Sequence, residues 1–242
     1  MMKGVKFGNY HSFKDWGLIL KSRPVISPPE PKTIYIDIPG ADNAIDLTES
    51  LTGDVKFKPR KFSSEFTVID GRDRWSNIYS EILDCIHGQK MKIVLDDDSD
   101  YFYLGRITVD EWKSDKRTAV ISISAVVDAY KYEQFSSVED WEWDSFNFET
   151  GIIRGDLKDI HVDGTYSFYF TGSRLPVVPK ITVDTPDDAG LKISLNNYKD
   201  INVSANFADG TTTNPKFVFR ERNFISITGT GTVTFDYRGG RL

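Results

Sequence analysis

The chain has 242 residues, 39% hydrophobic, 13% aromatic and 27% charged, with a formal net charge of −6. That length supports one large domain or two modest ones, and the aromatic content leans toward β structure. An acidic balance with no basic stripe excludes nucleic acid as the main partner, because a binder must displace phosphate counterions. The single cysteine, Cys85, excludes an intrachain disulfide and predicts folding in a reducing cytoplasm, and the lack of a long apolar run predicts neither a secretory leader nor membrane insertion.

Val5 to Asn9 and Trp16 to Ile19 read as short strands, followed by the Pro-rich connector Ser27-Pro28-Pro29-Glu30-Pro31, expected to be extended and surface-lying. Ile34, Ile36 and Ile38 alternate with Tyr35 and Asp37, the period-two pattern of a half-buried strand, and Pro39-Gly40 ends it. Asp42-Asn43 then predicts a reversal with Asn43 in the left-handed region, before an apolar ledge of Ile45, Leu47 and Leu51. Phe62, Phe66 and Val68 suggest a strand ending at Asp70-Gly71.

The period then changes. Trp75, Ile78, Tyr79, Ile82, Leu83 and Ile86 are spaced three and four apart, which predicts a helix over 74–87 with Asp73 as N-cap and Gly88 at its C-terminal end. Met91 to Leu95 and Tyr101 to Val109 form a predicted hairpin about an acidic tip, Asp96 to Asp100, with Trp112 closing the second strand. A charged turn, Lys113 to Arg117, leads into a strand whose Ala119, Ile121, Ile123, Ala125 and Val127 share one face.

The composition shifts around Asp128 to Ser137, which places a domain boundary there. Beyond Trp141 every element reads as a short strand: Phe146 to Phe148, Tyr166 to Phe170, Lys180 to Val183, Leu191 to Leu195, Ile201 to Val203, Phe217 to Phe219, Phe224 to Thr228 and Thr232 to Tyr237. Turns of Asp-Gly, Asn-Asn, Ala-Asp-Gly and Gly-Thr-Gly separate several of them, the pattern of a β-sandwich.

Four stretches carry a family resemblance. Ile38-Pro39-Gly40-Ala41-Asp42-Asn43-Ala44-Ile45-Asp46-Leu47-Thr48-Glu49 resembles the signature Ile-Pro-Gly-x-(Asp/Asn)-Gly-x-x-Asp-Leu-Thr-Glu of the distal tail proteins (Dit) of phages with long, non-contractile tails. Asn43 stands where that family usually has Gly. His11 to Leu18 resembles the family's opening Ser-x-x-Asp-(Trp/Phe)-Gly-Leu, and Val55 to Arg60 the strand that follows the signature. The ending Phe235 to Leu242 is similar to its Tyr-Arg-x-Gly tail.

The resemblance implies a mostly β protein. Its N-terminal β-sandwich or split-barrel ring domain, with one α-helix, would span 1–133, and a galectin-like β-sandwich would span 134–242. It implies a structural protein of the virion tail tip, assembled in the host bacterial cytoplasm: a homohexameric ring joining the major tail-tube protein to a tail-associated lysin or tail fibre, with a receptor-binding protein as a further partner. In such a ring Pro28 and Pro29 of the connector, with Pro39, Gly40, Asp42 and Asn43 of the turn, are the candidate inter-subunit residues. The alternative is a carbohydrate-binding module attaching to host cell-wall glycans.

No constellation in the sequence argues for an enzyme or a cofactor. Asp96, Asp98 and Asp100 have the one-three-five spacing that opens a calcium loop, but Tyr101 and Ile107 stand where Gly and a bidentate Glu are needed, so the tip reads as a solvated turn that binds no metal. His11, His87 and His161 are scattered, and no catalytic motif accompanies them. His87 reads as a partner of the helix dipole and Cys85 as a core filler. Trp141 and Trp143 would share a strand face, an arrangement that suits a sugar platform but more often anchors a core.

Overall fold

The computed structural model describes residues 3–50, 52–69, 71–114, 118–139, 157–197 and 202–242. The expected elements at Leu51, Asp70, Trp141, Trp143, Phe146 to Phe148 and Ile201, and part of the charged turn at 113–117, lie outside the described residues. Residues 1–131 and 132–241 form two compact units. The protein is mostly β, and one α-helix stands among the described residues.

In the first unit the antiparallel sheet runs in the order β2 (Tyr10–His11), β1 (Val5–Phe7), β8 (Lys90–Leu95), β9 (Tyr101–Ser114), β10 (Ala119–Val127), β7 (Arg60–Val68), β3 (Leu18–Leu20). A further short strand, β4 (Val25–Ile26), shares the outer edge of β7 with β3. Burial alternates residue by residue along β7 and β10, so the sheet has one apolar face. That face is curled. β1 and β7 stand four strand spacings apart, roughly 19 Å across a flat sheet, yet the Phe7 ring lies 6.3 Å from both Phe62 and Phe66, edge to face.

The helix α1 (Trp75–Ile86) buries Trp75, Ile78, Ile82 and Ile86 in the core that also holds Ile121 and Ile123. Its start differs from the expectation. Asp73 lies within a 3-10 turn over Arg72–Arg74, and Arg74 is the N-cap, with no side-chain capping bond. The C-terminal end follows the pattern: Gly88 takes φ 75°, the left-handed geometry that glycine supplies without strain. A β-bulge fixes how the helix docks. β10 pairs Ile121 with Trp112 but Ile123 with Val109, so β9 carries an extra residue there. Trp112 thereby faces the helix, 6.1 Å from Trp75 and 5.3 Å from Tyr79, while the Tyr79 hydroxyl donates to the Asp110 carbonyl at 3.3 Å. β9 therefore continues past Trp112 to Ser114 instead of closing there.

The second unit is one sheet creased along a single line. The 15-residue strand β17 (Arg222–Asp236) pairs along one edge with all of β12 (Ile160–Thr171). Along the other edge it pairs with β14 (Leu191–Asn197) over its first half and β13 (Lys180–Asp184) over its second. β14 in turn pairs with β15 (Asn202–Phe207), and β13 with β16 (Gly210–Thr213). Every column thus breaks at the same level: at Gly164, at Gly229 and Gly231, at the Thr185 to Gly190 connection, and at Ala208-Asp209.

The glycines make the crease possible. Odd-numbered residues of β17 face the core from Asn223 to Phe235, and Gly229 and Gly231 hold the two inward positions at the bend. A Cβ on Gly231 would meet the Asp184 carbonyl oxygen at 2.5 Å, and one on Gly229 the Leu191 side chain at 2.7 Å. Asp209 fastens the crease from the edge. Its carboxylate accepts from the Thr185 hydroxyl and, at 3.2 Å, from the Thr185 N–H, and these bonds hold its pKa below the usual carboxylate range. Both halves contribute to one core, with Ile181, Val183, Val233 and Phe235 from one and Leu191, Ile193, Ile225 and Ile227 from the other.

Gly-Thr-Gly is therefore a bend inside one strand, not a turn between Phe224 to Thr228 and Thr232 to Tyr237. Ala-Asp-Gly likewise joins β15 to β16 across the crease instead of closing a hairpin, and Phe217 to Phe219 forms no strand beyond a single bridge from Phe219 to Val177.

Truncating Ile82 to Ala is expected to cost about 2–5 kcal/mol, the range for a fully buried aliphatic residue, and Glu81→Ala under about 0.5 kcal/mol. Urea denaturation of the full chain compares them, and equal midpoint shifts contradict the packing. Gly231→Ala is expected to cost about 1–3 kcal/mol through backbone strain. Gly71→Ala, at a site with open space around it, serves as its control in the same measurement.

Candidate assembly surface

Between Lys21 and Pro59 no described residue is buried. The chain leaves the first unit at β4, runs out, turns and comes back to β7 as a two-chain arm. Proline and lysine hold its base open. Pro28 and Pro29 cannot donate to a ladder, so the base is held by discrete bonds: Ser27 N–H to the Lys61 carbonyl at 3.0 Å, Lys58 N–H to that of Glu30 at 2.8 Å, and Lys32 N–H to that of Lys56 at 2.7 Å. Lys58 and Glu30 also pair at 3.1 Å, and the Phe57 ring meets Tyr130 edge to face at 6.0 Å.

Farther out the arm becomes a two-stranded hairpin, β5 (Tyr35–Ile36) with β6 (Ile45–Asp46), in register Tyr35 to Asp46 and Ile36 to Ile45. Asp46 is tied by the Thr48 N–H at 2.9 Å, and bonds from Thr48 lower its pKa from the usual value. The tip is a turn over Ile38-Pro39-Gly40-Ala41 closed by the Ala41 N–H on the Ile38 carbonyl at 3.1 Å. Gly40 at φ 85° after a proline is the type II arrangement. The expected left-handed Asn43 is not found: positive φ among the described non-glycine residues occurs at Asp159 and Asp188, because Gly40 has already supplied the reversal.

The candidate residues therefore fall in two groups on one arm. Pro28 and Pro29 sit at its base, and Pro39, Gly40, Asp42 and Asn43 at and just past its tip, separated by roughly 30 Å of extended chain at ~3.3 Å per residue. Between them lie side chains the candidate set omitted. Ile34, Tyr35, Ile36, Ile38 and Ile45 are 47%, 59%, 50%, 43% and 46% exposed. The alternation of Ile34, Ile36 and Ile38, with Ile45 across from Ile36, predicts one covered face, with Tyr35 on the other, and within the single chain that face is uncovered. The period-two pattern was the signal for them; it indicated burial without indicating by what.

The acidic tip between β8 and β9 is engaged otherwise. Asp96 accepts from Gly4 N–H at 2.7 Å and from His11 Nε2 at 3.1 Å. The Nδ1 of His11 accepts from the N–H groups of Phe13 and Lys14, which leaves Nε2 as the donor. Asp97 pairs with Arg23 at 3.4 Å, and Asp98 with Lys131 at 2.5 Å, whose ammonium lies over the Tyr101 ring. The acids thus fasten the N-terminal strands and the end of the first unit, and no cluster able to hold a metal occurs among the described residues. His87 caps α1 with its Nδ1 accepting from Val109 N–H at 3.1 Å, a neutral acceptor bridging to β9 rather than a charge on the helix dipole. His161 bonds to Thr232 at 3.0 Å, far in sequence from both. Cys85 is half-buried against the first core.

Neither a protein-family model nor a curated protein matches the sequence. Among solved structures the chain is similar to SPP1 Dit (gp 19.1), described as a paradigm of the hub adsorption apparatus in phages that infect Gram-positive bacteria. The superposition covers 98% of this chain and 99% of that one, with a TM-score of 0.58 and 11% sequence identity. The chain has the fold of that hub protein over essentially its whole length.

Titration with calcium, followed by calorimetry, is expected to give no heat beyond weak surface binding, because the carboxylates of the acidic tip already hold bases. A micromolar site that also raises the melting temperature contradicts this.

Proposed function

We propose that this protein is the distal tail protein of a phage or prophage with a long, non-contractile tail. In this reading it is a structural hub, not an enzyme, at the tail tip. The observation that supports it is the end-to-end likeness in fold to a hub adsorption protein, two units included. The N-terminal signature at Ile38 to Glu49 agrees with it.

The first unit forms a closed ring of six copies through the arm. A two-stranded hairpin is marginal alone in water. Burying what remains exposed of Ile34, Ile36, Ile38 and Ile45 on a neighbouring subunit contributes roughly 1 kcal/mol each, about half the value for full burial of such side chains. Each subunit both gives and receives an arm, so the contact is heterologous, and such contacts must close into a ring to avoid filaments. The ring joins the tail-tube protein on one side to a tail-associated lysin or fibre protein on the other, with a receptor-binding protein docking on it. The second unit takes the galectin-like role in this assembly.

Light scattering at high protein concentration is expected to give six times the 27.5 kDa chain mass. The double variant Ile36→Asp with Ile45→Asp is expected to be monomeric with an unchanged melting temperature, since both sites are exposed in the single chain. A wild-type monomer that also fails to join purified tail-tube protein overturns the reading.

A further inference from the structure

The outer face of the second unit differs sharply on the two sides of its crease. On the β14 side, three rows of side chains cross the four strands β12, β17, β14 and β15 in register: Thr165, Thr228, Lys192 and Asn206; then Ser167, Ser226, Ser194 and Ser204; then Tyr169, Phe224, Asn196 and Asn202. Lys192 is the one charged residue in these three rows, in a chain that is 27% charged; Arg222, beside Thr171 in the next row, is the other on this side, and there is no carboxylate. On the β13 side the same outer face carries Asp163, Asp184 and Asp236, as a solvated sheet surface normally does.

One aromatic residue stands out on this face. Tyr169 is 81% exposed, the most exposed large hydrophobic side chain described. Its ring rests on Phe224, centroid to centroid 4.5 Å at 41°, so one ring face is supported and the other is turned to solvent. Beside it the hydroxyls are held in place by one another, Ser167 donating to Ser226 at 2.8 Å and Ser194 to Ser204 at 3.0 Å.

We infer that this face binds a neutral polysaccharide, with Tyr169 as the stacking platform and the flanking Ser and Asn side chains as hydrogen-bonding partners. A pyranose presents a patch of C–H groups, which the electron-rich face of an aromatic ring attracts, and a rim of hydroxyls that both donate and accept. Serine hydroxyls and asparagine amides do the same in return, whereas a carboxylate only accepts and an ammonium only donates. The lack of carboxylates, with only Lys192 and Arg222 charged, at opposite ends of the face, suits an uncharged ligand at its centre. A flat face four strands wide suits an extended polymer better than an enclosed small molecule. A protein partner fits less well, because interface cores are enriched in aromatics, Met and Arg and depleted in Ser.

The inference does not depend on the ring reading, since the face lies within one subunit. Its test is saturation-transfer NMR on the full chain with four soluble neutral probes: chitohexaose, cellohexaose, maltohexaose and mannohexaose. At least one is expected to show transfer at its ring C–H protons, unaffected by high salt. Tyr169→Ala is expected to weaken that binding by at least about fivefold, Tyr169→Trp to retain it, and both to keep the wild-type melting temperature. No transfer to any probe at millimolar concentration overturns the inference. Binding that survives Tyr169→Ala, or that salt abolishes, overturns it equally.

Discussion

A β-sheet has two faces, and each unit of this chain has apolar side chains enough to cover one. The rest of the structure follows from that limit. A sheet with one greasy face must meet a second layer or bend until it covers itself, and both units bend. In the first, curling carries Phe7 of β1 onto Phe62 and Phe66 of β7, and α1 closes what the curl leaves open. In the second, the crease folds one sheet so that its halves share a core. The devices are backbone devices: a bulge at Asp110-Glu111 in one, and Gly164, Gly229 and Gly231 in the other.

These devices decide which surfaces remain for other uses. The bulge turns Trp112 onto the helix and ties the helix to β9, so these aromatic side chains are used inside the first unit, and the apolar side chains left exposed are concentrated on the arm. The crease frees the second unit from needing another sheet over its outer side. That side is accordingly mostly polar among the described residues, and at Tyr169 and Phe224 it carries aromatic rings that the core does not use. Arm and face are separate features, each within one unit.

The elements whose side chains alternate cleanly were legible in the sequence: β7, β8, β10, β13, β14 and the helical spacing of Trp75 to Ile86 all lie close to where the pattern put them. The breaks were not. Gly-x-Gly is the same signal whether a chain reverses or merely bends, and what distinguishes the two is whether a partner strand runs past it. Along β17 the strand β12 does, and no window of local sequence contains that information. The N-cap failed for a similar reason: Asp73 has the right side chain, but a 3-10 turn begins one residue before it and moves the cap to Arg74. At the arm, the alternation of Ile34, Ile36 and Ile38 indicated an apolar face but not its exposure: the expected half-buried strand is only Tyr35–Ile36 and lies open.

An arm that exposes this much apolar surface is an aggregation hazard, and its composition shows how the hazard is contained. Unsupervised strand pairing needs a long, flat edge with free N–H and carbonyl groups. Here β5 and β6 are two residues each, and Pro28, Pro29, Pro31 and Pro39 remove donors along the outgoing chain. Asp37 stands between Ile36 and Ile38, and Asp46 beside Ile45 and across from Tyr35, so two arms meeting side by side bring like charges together. What these obstacles leave open is contact through the isoleucine side chains rather than through the backbone. Backbone chemistry thus discourages unspecific strand pairing, while the exposed isoleucine side chains stay available for a contact that depends on their shape.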